Sequence, residues 1–176
     1  MRWLCLALCL WATAPLADTS GEPDGYRMDA YRGPVPDTLK GAIVLDDAAA
    51  RSLWQAGGAA FIDVFPRAPK PENLPEGTIW REKKHFSIPG ARWLPNVGYG
   101  ALADETHTYF KRNLTDATGG SEDKPIVFFC LAGCWMSWNA AKRALEYGYT
   151  QVYWYPDGTD GWDFSGYELE EVQRAD

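Results

Sequence analysis

The sequence predicts an α/β fold with a central, mostly parallel sheet and helices on both faces. Short apolar runs alternate with segments whose apolar residues recur at helical spacing, and no internal repeat interrupts them. The clearest unit is a strand, tight loop and helix between residues 124 and 148. Strands that alternate with helices in this way form a parallel sheet covered on both sides.

The N-terminus has the pattern of a secretory signal over residues 1–17. Arg2 gives a positive start, residues 3–11 an apolar run and residues 12–17 a small-residue exit. The run is about half the roughly 20 residues that span a bilayer, and no later stretch approaches that length. We therefore expect export to the periplasm and no membrane span in the mature protein.

The mature chain should be a single domain with a short leading segment. Residues 18–40 are rich in Gly, Pro and Asp and predict an extended arm over the surface. Residues 41–176 are long enough for one hydrophobic core. Without Arg2, 16 basic residues face 24 acidic ones, which gives a net charge of −8. Such a charge disfavours nucleic acid as a partner.

The first half of the domain contains four predicted elements and one long irregular segment. Residues 65–90 carry five prolines, too many for regular structure, and loops of this length in a compact domain are usually functional or mobile. Around them we predict a helix over 48–56 capped by Asp46 or Asp47 and ended by Gly57, a buried strand over 59–64, a short strand over 91–94 and a helix over 104–114.

The second half places a cysteine at the end of a central strand. We predict a buried strand over 124–129, a loop over 130–135, a helix over 136–147 ended by Gly148, and a further strand over 151–155. Cys130 thus follows the strand directly. In open α/β sheets, ligands bind outside the carboxyl ends of the strands.

Cys130 and Cys134 are the cysteines that remain after signal removal, because Cys5 and Cys9 leave with the signal. A disulfide between them would close a five-residue ring and contribute only about 2 kcal/mol, so it would be a poor structural staple. Backbone N–H groups of the loop and the helix dipole should favour a thiolate at Cys130. Bridging by Cys134 would require Cα atoms within about 7 Å.

These landmarks, in this order, resemble a rhodanese domain over about residues 45–170. They are Phe61 to Val64, Ile88 to Ala91, Pro125 to Cys130, the loop with Gly133, and Val152 to Trp162. The resemblance implies a rhodanese-like three-layer fold and a sulfurtransferase that forms a persulfide on Cys130. The loop and residues 137–143 are also similar to exported proteins named for a CXXCW motif. That likeness implies an association with pyrroloquinoline-quinone-dependent alcohol catabolism.

The resemblance also selects the site residues. Cys130 and Cys134 are the candidate catalytic residues, and Asp63, Arg67 and His85 are candidate accessory residues. Where a thiosulfate-using rhodanese commonly has a basic loop residue, this chain has Cys134 and Trp135, which argues against thiosulfate as the donor. The substrate-binding loop would comprise Leu131, Ala132, Gly133, Trp135 and Met136. Trp135 is expected either to form an aromatic wall beside the sulfur or to pack under the loop.

Two other functions remain open from the residues. In thiol-disulfide exchange, Cys130 would attack a partner disulfide and Cys134 would resolve the adduct. A non-catalytic binding module with the same fold is the other alternative. The partner would be a small sulfur compound or a protein thiol or disulfide, with a periplasmic quinone-dependent dehydrogenase system as a further candidate. We expect no cofactor and no metal, since the spacing of the cysteines from His85 and His107 does not match a compact zinc module.

Overall fold

The computed structural model describes residues 21–176, so the predicted signal and the first three residues of the predicted arm lie outside the described residues. No helix in the described part is long and apolar enough to cross a membrane. The elements within residues 21–176 are, in chain order, β1 (Ile43–Val44), α1 (Asp47–Ala56), β2 (Ala60–Asp63), β3 (His85–Ser87), β4 (Arg92–Trp93), α2 (Asp104–Thr118), β5 (Ile126–Phe129), α3 (Trp135–Glu146), β6 (Val152–Tyr155), α4 (Gly158–Phe164) and β7 (Glu170–Val172).

The main sheet has five strands in the order β1-β6-β5-β2-β4, and every neighbouring pair is parallel. Its register sets Phe129 of β5 beside both Asp63 of β2 and Tyr155 of β6. The carboxyl ends of these three strands are therefore level, and the loops that follow them lie at one edge. The predicted α/β fold with a mostly parallel central sheet is confirmed.

Side chains alternate between two hydrophobic layers along the central strands. Ile62 and Phe128 point into a layer that includes buried residues of α2 and α3. Phe61 and Val127 point into the opposite layer, which contains residues of α1 and α4. All four residues of β5 are buried because this strand is covered on both faces. Burial on both faces explains why every residue of β5 is apolar.

Residues 65–90 contain regular structure where the sequence predicted none. Within this segment β3 pairs antiparallel with β7, with His85 opposite Val172. The strand has only three residues and its partner lies more than eighty residues later, so no local pattern could indicate it. The prediction for this segment was therefore wrong at its C-terminal end.

The start of α1 agrees with its predicted capping residue, whereas the end of α2 lies beyond its predicted position. Asp46 accepts a hydrogen bond from the Ala49 amide at 2.8 Å and so starts α1 as expected. In contrast, α2 runs to Thr118, four residues beyond its predicted end, and stops at Gly119 in the left-handed conformation. Leu114 and Thr118 are buried, so packing against the sheet carries the helix past the predicted boundary.

The segment before β1 crosses α3 and is held there by polar contacts. The Arg27 amide donates to Asn139 Oδ1 at 2.9 Å, and Asn139 Nδ2 donates to the Arg27 carbonyl at the same distance. The guanidinium of buried Arg143 lies 4.1 Å from the centre of the Tyr26 ring. Arg143 also donates to the carbonyls of Val97 and Gly100. One buried arginine thus connects the arm, α3 and the loop before α2.

Candidate active site around Cys130 and Cys134

The two cysteines lie at opposite ends of the loop that joins β5 to α3. Cys130 follows β5 directly, and Cys134 is the residue that precedes the first turn of α3. Both are free thiols, 1% and 3% exposed. The two side chains interact, and each shifts the pKa of the other. The loop therefore curls enough to make the two thiols neighbours.

Two glycines permit this curled loop. Gly133 has φ 63°, and a Cβ atom there would lie 3.0 Å from the Gly33 carbonyl oxygen. Gly158 has φ 53°, and its Cβ would lie only 2.2 Å from the Cys130 carbonyl oxygen. The Thr159 amide donates to that same carbonyl at 2.9 Å. Close backbone approach from both sides thus fixes the main chain of Cys130 and Gly133.

Backbone donors of the loop point at the sulfur atoms. The Leu131 amide contacts both cysteines, and the Met136 amide contacts Cys134. The Ala132 amide instead donates to Asp160 Oδ2 at 3.1 Å. Two of the loop's donors are therefore available to stabilise negative charge on sulfur, as the loop-to-helix geometry predicted.

The pKa shifts of the two cysteines run opposite to the expectation. Burial is the main cause that raises the pKa of Cys130 well above its usual value, followed by the interaction with Cys134. The interaction with Cys130 lowers the pKa of Cys134 to about 7, helped by the Met136 and Leu131 amides and the charge of Arg32 and opposed by burial. The pKa is therefore lowered at Cys134 and raised at Cys130, whereas the sequence predicted a thiolate at Cys130.

The arm covers this loop with backbone hydrogen bonds. The Trp135 amide donates to the Tyr31 carbonyl, and the Gly33 amide donates to the Gly133 carbonyl, both at 2.9 Å. Between them, Arg32 forms an antiparallel bridge with Cys134. The first amide of α3 is thus occupied by the arm and is unavailable to a ligand at the sulfur.

Trp135 packs beneath the arm instead of forming a wall beside the sulfur. Its Nε1 atom donates to the Pro34 carbonyl at 2.9 Å, and its ring meets Trp138 edge to face at a centroid distance of 5.6 Å. Arg27 stacks its guanidinium 5.3 Å from the ring centre. The side chain is 7% exposed, so of the two expectations for Trp135 the structure shows packing.

Asp63 and His85 form a buried polar cluster at the end of β2. His85 Nε2 and Asp63 Oδ2 are 2.7 Å apart, and Ser87 donates its hydroxyl to the same oxygen at 2.6 Å. The Phe65 amide donates to Asp63 Oδ1 at 2.8 Å. The negative charge of Asp63 contributes to the raised pKa of Cys130, so the cluster acts electrostatically on the thiol pair.

The remaining accessory candidate, Arg67, points elsewhere. It forms a two-pronged ion pair with Glu82, and its amide donates to Asn96 Oδ1 at 3.1 Å. Arg67 is thus committed to the segment that follows β2 and not to the sulfur atoms. Among the described residues, no group of three His, Cys, Asp or Glu side chains is arranged to hold a metal ion.

Sequence reasoning missed several residues that shape the site. Arg32 supplies a positive charge to Cys134, Tyr31 and Gly33 cover the loop, Asp160 holds Ala132, and Ser87 holds Asp63. The sequence could have indicated Ser87, because it lies two residues after His85 and residues at that spacing in a strand point to the same face of the sheet. Nothing in the sequence indicated the arm residues, because they lie about a hundred positions before the loop.

Comparison with known proteins supports a family assignment. A family model described as "Rhodanese-like domain" matches residues 46–164, about two thirds of the chain. No curated protein sequence matches the chain.

Solved structures match this chain at low identity. The polysulfide-sulfur transferase homodimer from Wolinella succinogenes is 20% identical, with 77% of this chain and 81% of that chain covered and a TM-score of 0.45. A Saccharomyces cerevisiae protein is 18% identical, with 71% of this chain and 93% of that chain covered and a TM-score of 0.42. EanB in complex with hercynine is 21% identical, with 82% and 34% covered and a TM-score of 0.48, so the chain spans about a third of EanB.

Replacing Cys130 should raise the pKa of Cys134, because the thiol of Cys130 is its largest stabilising donor. We expect Cys130→Ala to raise the midpoint of the Cys134 thiol titration from about 7. The expected increase is about one pH unit, the effect of one hydrogen bond to a charged group. Cys130→Ser, which keeps a donor, should raise it less. Thiolate ultraviolet absorbance against pH measures both, and equal midpoints in all three proteins would contradict the assignment.

Loosening the arm should expose the thiol pair. Gly33→Pro removes the amide that donates to Gly133 and cannot adopt the φ of 155° found there. Loss of one hydrogen bond should increase the alkylation rate of Cys134 by about fivefold through local opening. Gly25→Pro is the matched control, because Gly25 is exposed with open space around it. Identical rates in both variants would show that the arm does not control access.

Proposed function

Because the chain belongs to the rhodanese-like domain family, we propose that it is a sulfurtransferase whose Cys130 accepts a sulfane sulfur as a persulfide. The observation that carries this proposal is the pair of buried, interacting free thiols, Cys130 and Cys134, at the carboxyl edge of the sheet. A thiolate in contact with a neutral thiol supplies both a nucleophile and the base that activates it. The pair can therefore react without a histidine or a metal.

In the first step, Cys134 acts as the base and Cys130 as the nucleophile. The Cys134 thiolate takes the proton of Cys130 while the Cys130 sulfur attacks the outer sulfur of a persulfide or polysulfide donor, R–S–S⁻. A new S–S bond forms on Cys130, the donor S–S bond breaks, and R–S⁻ leaves. The products are a Cys130 persulfide anion and a neutral Cys134 thiol, so charge and atoms balance. An acceptor thiolate then removes the outer sulfur and regenerates the pair.

The loop supports this step through its fixed dipoles. The Leu131 amide contacts both sulfur atoms and can stabilise the persulfide anion on Cys130, while the Met136 amide stabilises the Cys134 thiolate that acts as the base. Arg32, whose charge lowers the pKa of Cys134, belongs to the arm and not to the loop. Since the loop itself has no basic side chain, we expect a thiol-bound sulfane sulfur to be a better donor than thiosulfate.

Thiol-disulfide exchange is the second candidate, and the same contact between the sulfurs favours it. After persulfide formation, a Cys134 thiolate can attack the inner sulfur on Cys130. This forms the Cys130–Cys134 disulfide and, with one proton, releases HS⁻. The pair is oxidised and the sulfane sulfur is reduced, so a partner dithiol must reduce the protein before the next cycle. The partner would then be a protein thiol or disulfide.

We further propose that the protein is exported and serves pyrroloquinoline-quinone-dependent alcohol catabolism. Support for export comes from the signal pattern of residues 1–17. Support for the second part is the likeness of the loop and the start of α3 to the CXXCW proteins, although this loop has three residues between its cysteines where that name implies two.

Deleting residues 2–17 should retain the protein in the cytoplasm if those residues are the signal. Cell fractionation of the full-length and the truncated protein measures this directly. Recovery of the truncated form in the periplasm would contradict the export proposal.

Incubation of the reduced mature protein with inorganic polysulfide should add one sulfur atom to Cys130. Intact-mass spectrometry followed by peptide mapping locates the addition. Cys130→Ser should abolish it, and Cys134→Ser should slow it by about a hundredfold through loss of the base. Thermal melting of both variants verifies that they are folded, as expected for nearly isosteric changes.

The alternatives give different masses in the same experiment. Loss of two hydrogens with a Cys130–Cys134 crosslink would favour the exchange reaction. Addition to Cys134 with Cys130→Ser still reactive would overturn the assignment of the nucleophile. Two unreactive thiols in the folded protein would overturn both reactions and leave the non-catalytic binding module.

A further inference from the structure

A cleft of about 700 Å³ is lined by the residues that follow β2, by the segment that leads into β3, and by Trp93 of β4. Its walls include Phe65, Trp80, Trp93 and Tyr99, and Arg81 and Lys83 stand among its lining residues. We infer that this cleft is a binding site for a small planar aromatic molecule that carries a negative charge. This inference goes beyond the proposed sulfur chemistry and does not depend on it.

The aromatic walls are held in place before any ligand binds. The rings of Phe65 and His85 are stacked at a centroid distance of 5.0 Å and 11° between planes, and Trp93 lies 4.5 Å from His85. Trp93 Nε1 donates to the Phe65 carbonyl at 2.7 Å, and Asp63 holds the His85 ring from behind. A ring that enters the cleft can extend this stack with little loss of side-chain entropy.

The volume suits a small molecule. Ligand sites of this kind enclose a few hundred to about 1,000 Å³ and combine apolar walls with a few polar groups. The cleft matches that description, since prolines of the irregular segment join the four aromatic residues in its lining. An apolar, preorganised site explains why four large aromatic side chains line a cleft at the surface.

The charge around the cleft opposes the charge of the whole protein. The chain has a formal net charge of −7, yet Arg67, Arg81, Lys83 and Lys84 line the cleft with Glu82 as the single acidic residue. Arg67 is paired with Glu82 and Lys84 with Glu171. Arg81 and Lys83 form no ion pair with any residue that the structure describes. Two uncompensated cations at an aromatic cleft attract an anionic group and orient the ring that bears it.

The position of the cleft relates it to the thiol pair. Phe65 lies two residues after Asp63, and Asp63 is in register with Phe129, the residue before Cys130. A ligand in the cleft would therefore lie at the same sheet edge as the sulfur atoms. Neither cysteine lines the cleft, so binding can be measured separately from sulfur transfer.

The test is calorimetric titration of the mature protein with 2-naphthoate, compared with uncharged 2-naphthamide and with the saturated analogue decahydronaphthalene-2-carboxylate. We expect 2-naphthoate to bind and both analogues to bind at least about fivefold more weakly, since each lacks the charge or the flat ring. Equal affinity for all three, or no binding of 2-naphthoate at millimolar concentration, would overturn the inference.

Matched variants locate the site. Lys83→Glu should weaken 2-naphthoate binding by about fivefold or more, while Lys40→Glu, the same change at an exposed lysine outside the cleft, should leave it within about twofold. Trp80→Ala should weaken 2-naphthoate and 2-naphthamide together. Equal losses for both lysine variants, or no effect of Trp80→Ala, would overturn the site. A Cys130→Ser, Cys134→Ser double variant should bind normally, which separates this inference from the sulfur chemistry.

Discussion

The parallel register of β2, β5 and β6 is the constraint on which the rest of this structure depends. By ending three neighbouring strands at the same level, it sets Asp63, Phe129 and Tyr155 side by side. The next residues along each strand must then leave the sheet at a single edge. Cys130, the Asp63–His85 cluster and the cleft that begins at Phe65 all lie there for this reason. Because β5 is buried on both faces, the register cannot shift without moving apolar side chains between the two layers.

Burial and hydrogen bonding together decide the charge of the thiol pair. Removal from water disfavours a thiolate on either sulfur, and at Cys130 the negative charge of Asp63 raises the pKa further. Cys134 receives the compensating interactions, namely the Cys130 thiol, two backbone amides and the charge of Arg32. These shifts favour a thiolate at Cys134 beside a protonated Cys130. That state is suited to sulfur chemistry, since it holds a nucleophile and a proton acceptor in contact.

The edge of the sheet has two differently organised halves. On one half, the arm covers the thiol loop through main-chain hydrogen bonds from Tyr31 and Gly33, and both cysteines are almost fully buried. On the other half, the aromatic cleft is open and its rings are preorganised around His85. Asp63 lies between them, since it holds His85 on one side and raises the pKa of Cys130 on the other. The thiols are thus buried under the arm, whereas the cleft lies open at the surface.

The sequence by itself determined the α/β fold, the caps of α1 and the location of Cys130 at the end of a central strand, because these follow from local apolar periodicity and capping chemistry. It could not determine which cysteine has the lowered pKa, since that depends on Arg32, Asp63 and amides brought together by folding. The packing of Trp135 was likewise decided by Pro34, which lies 101 positions earlier. The pairing of β3 with β7 likewise joins segments that lie far apart in the chain. Contacts between short segments far apart in the chain leave no periodic signal, and only the tertiary structure decides them.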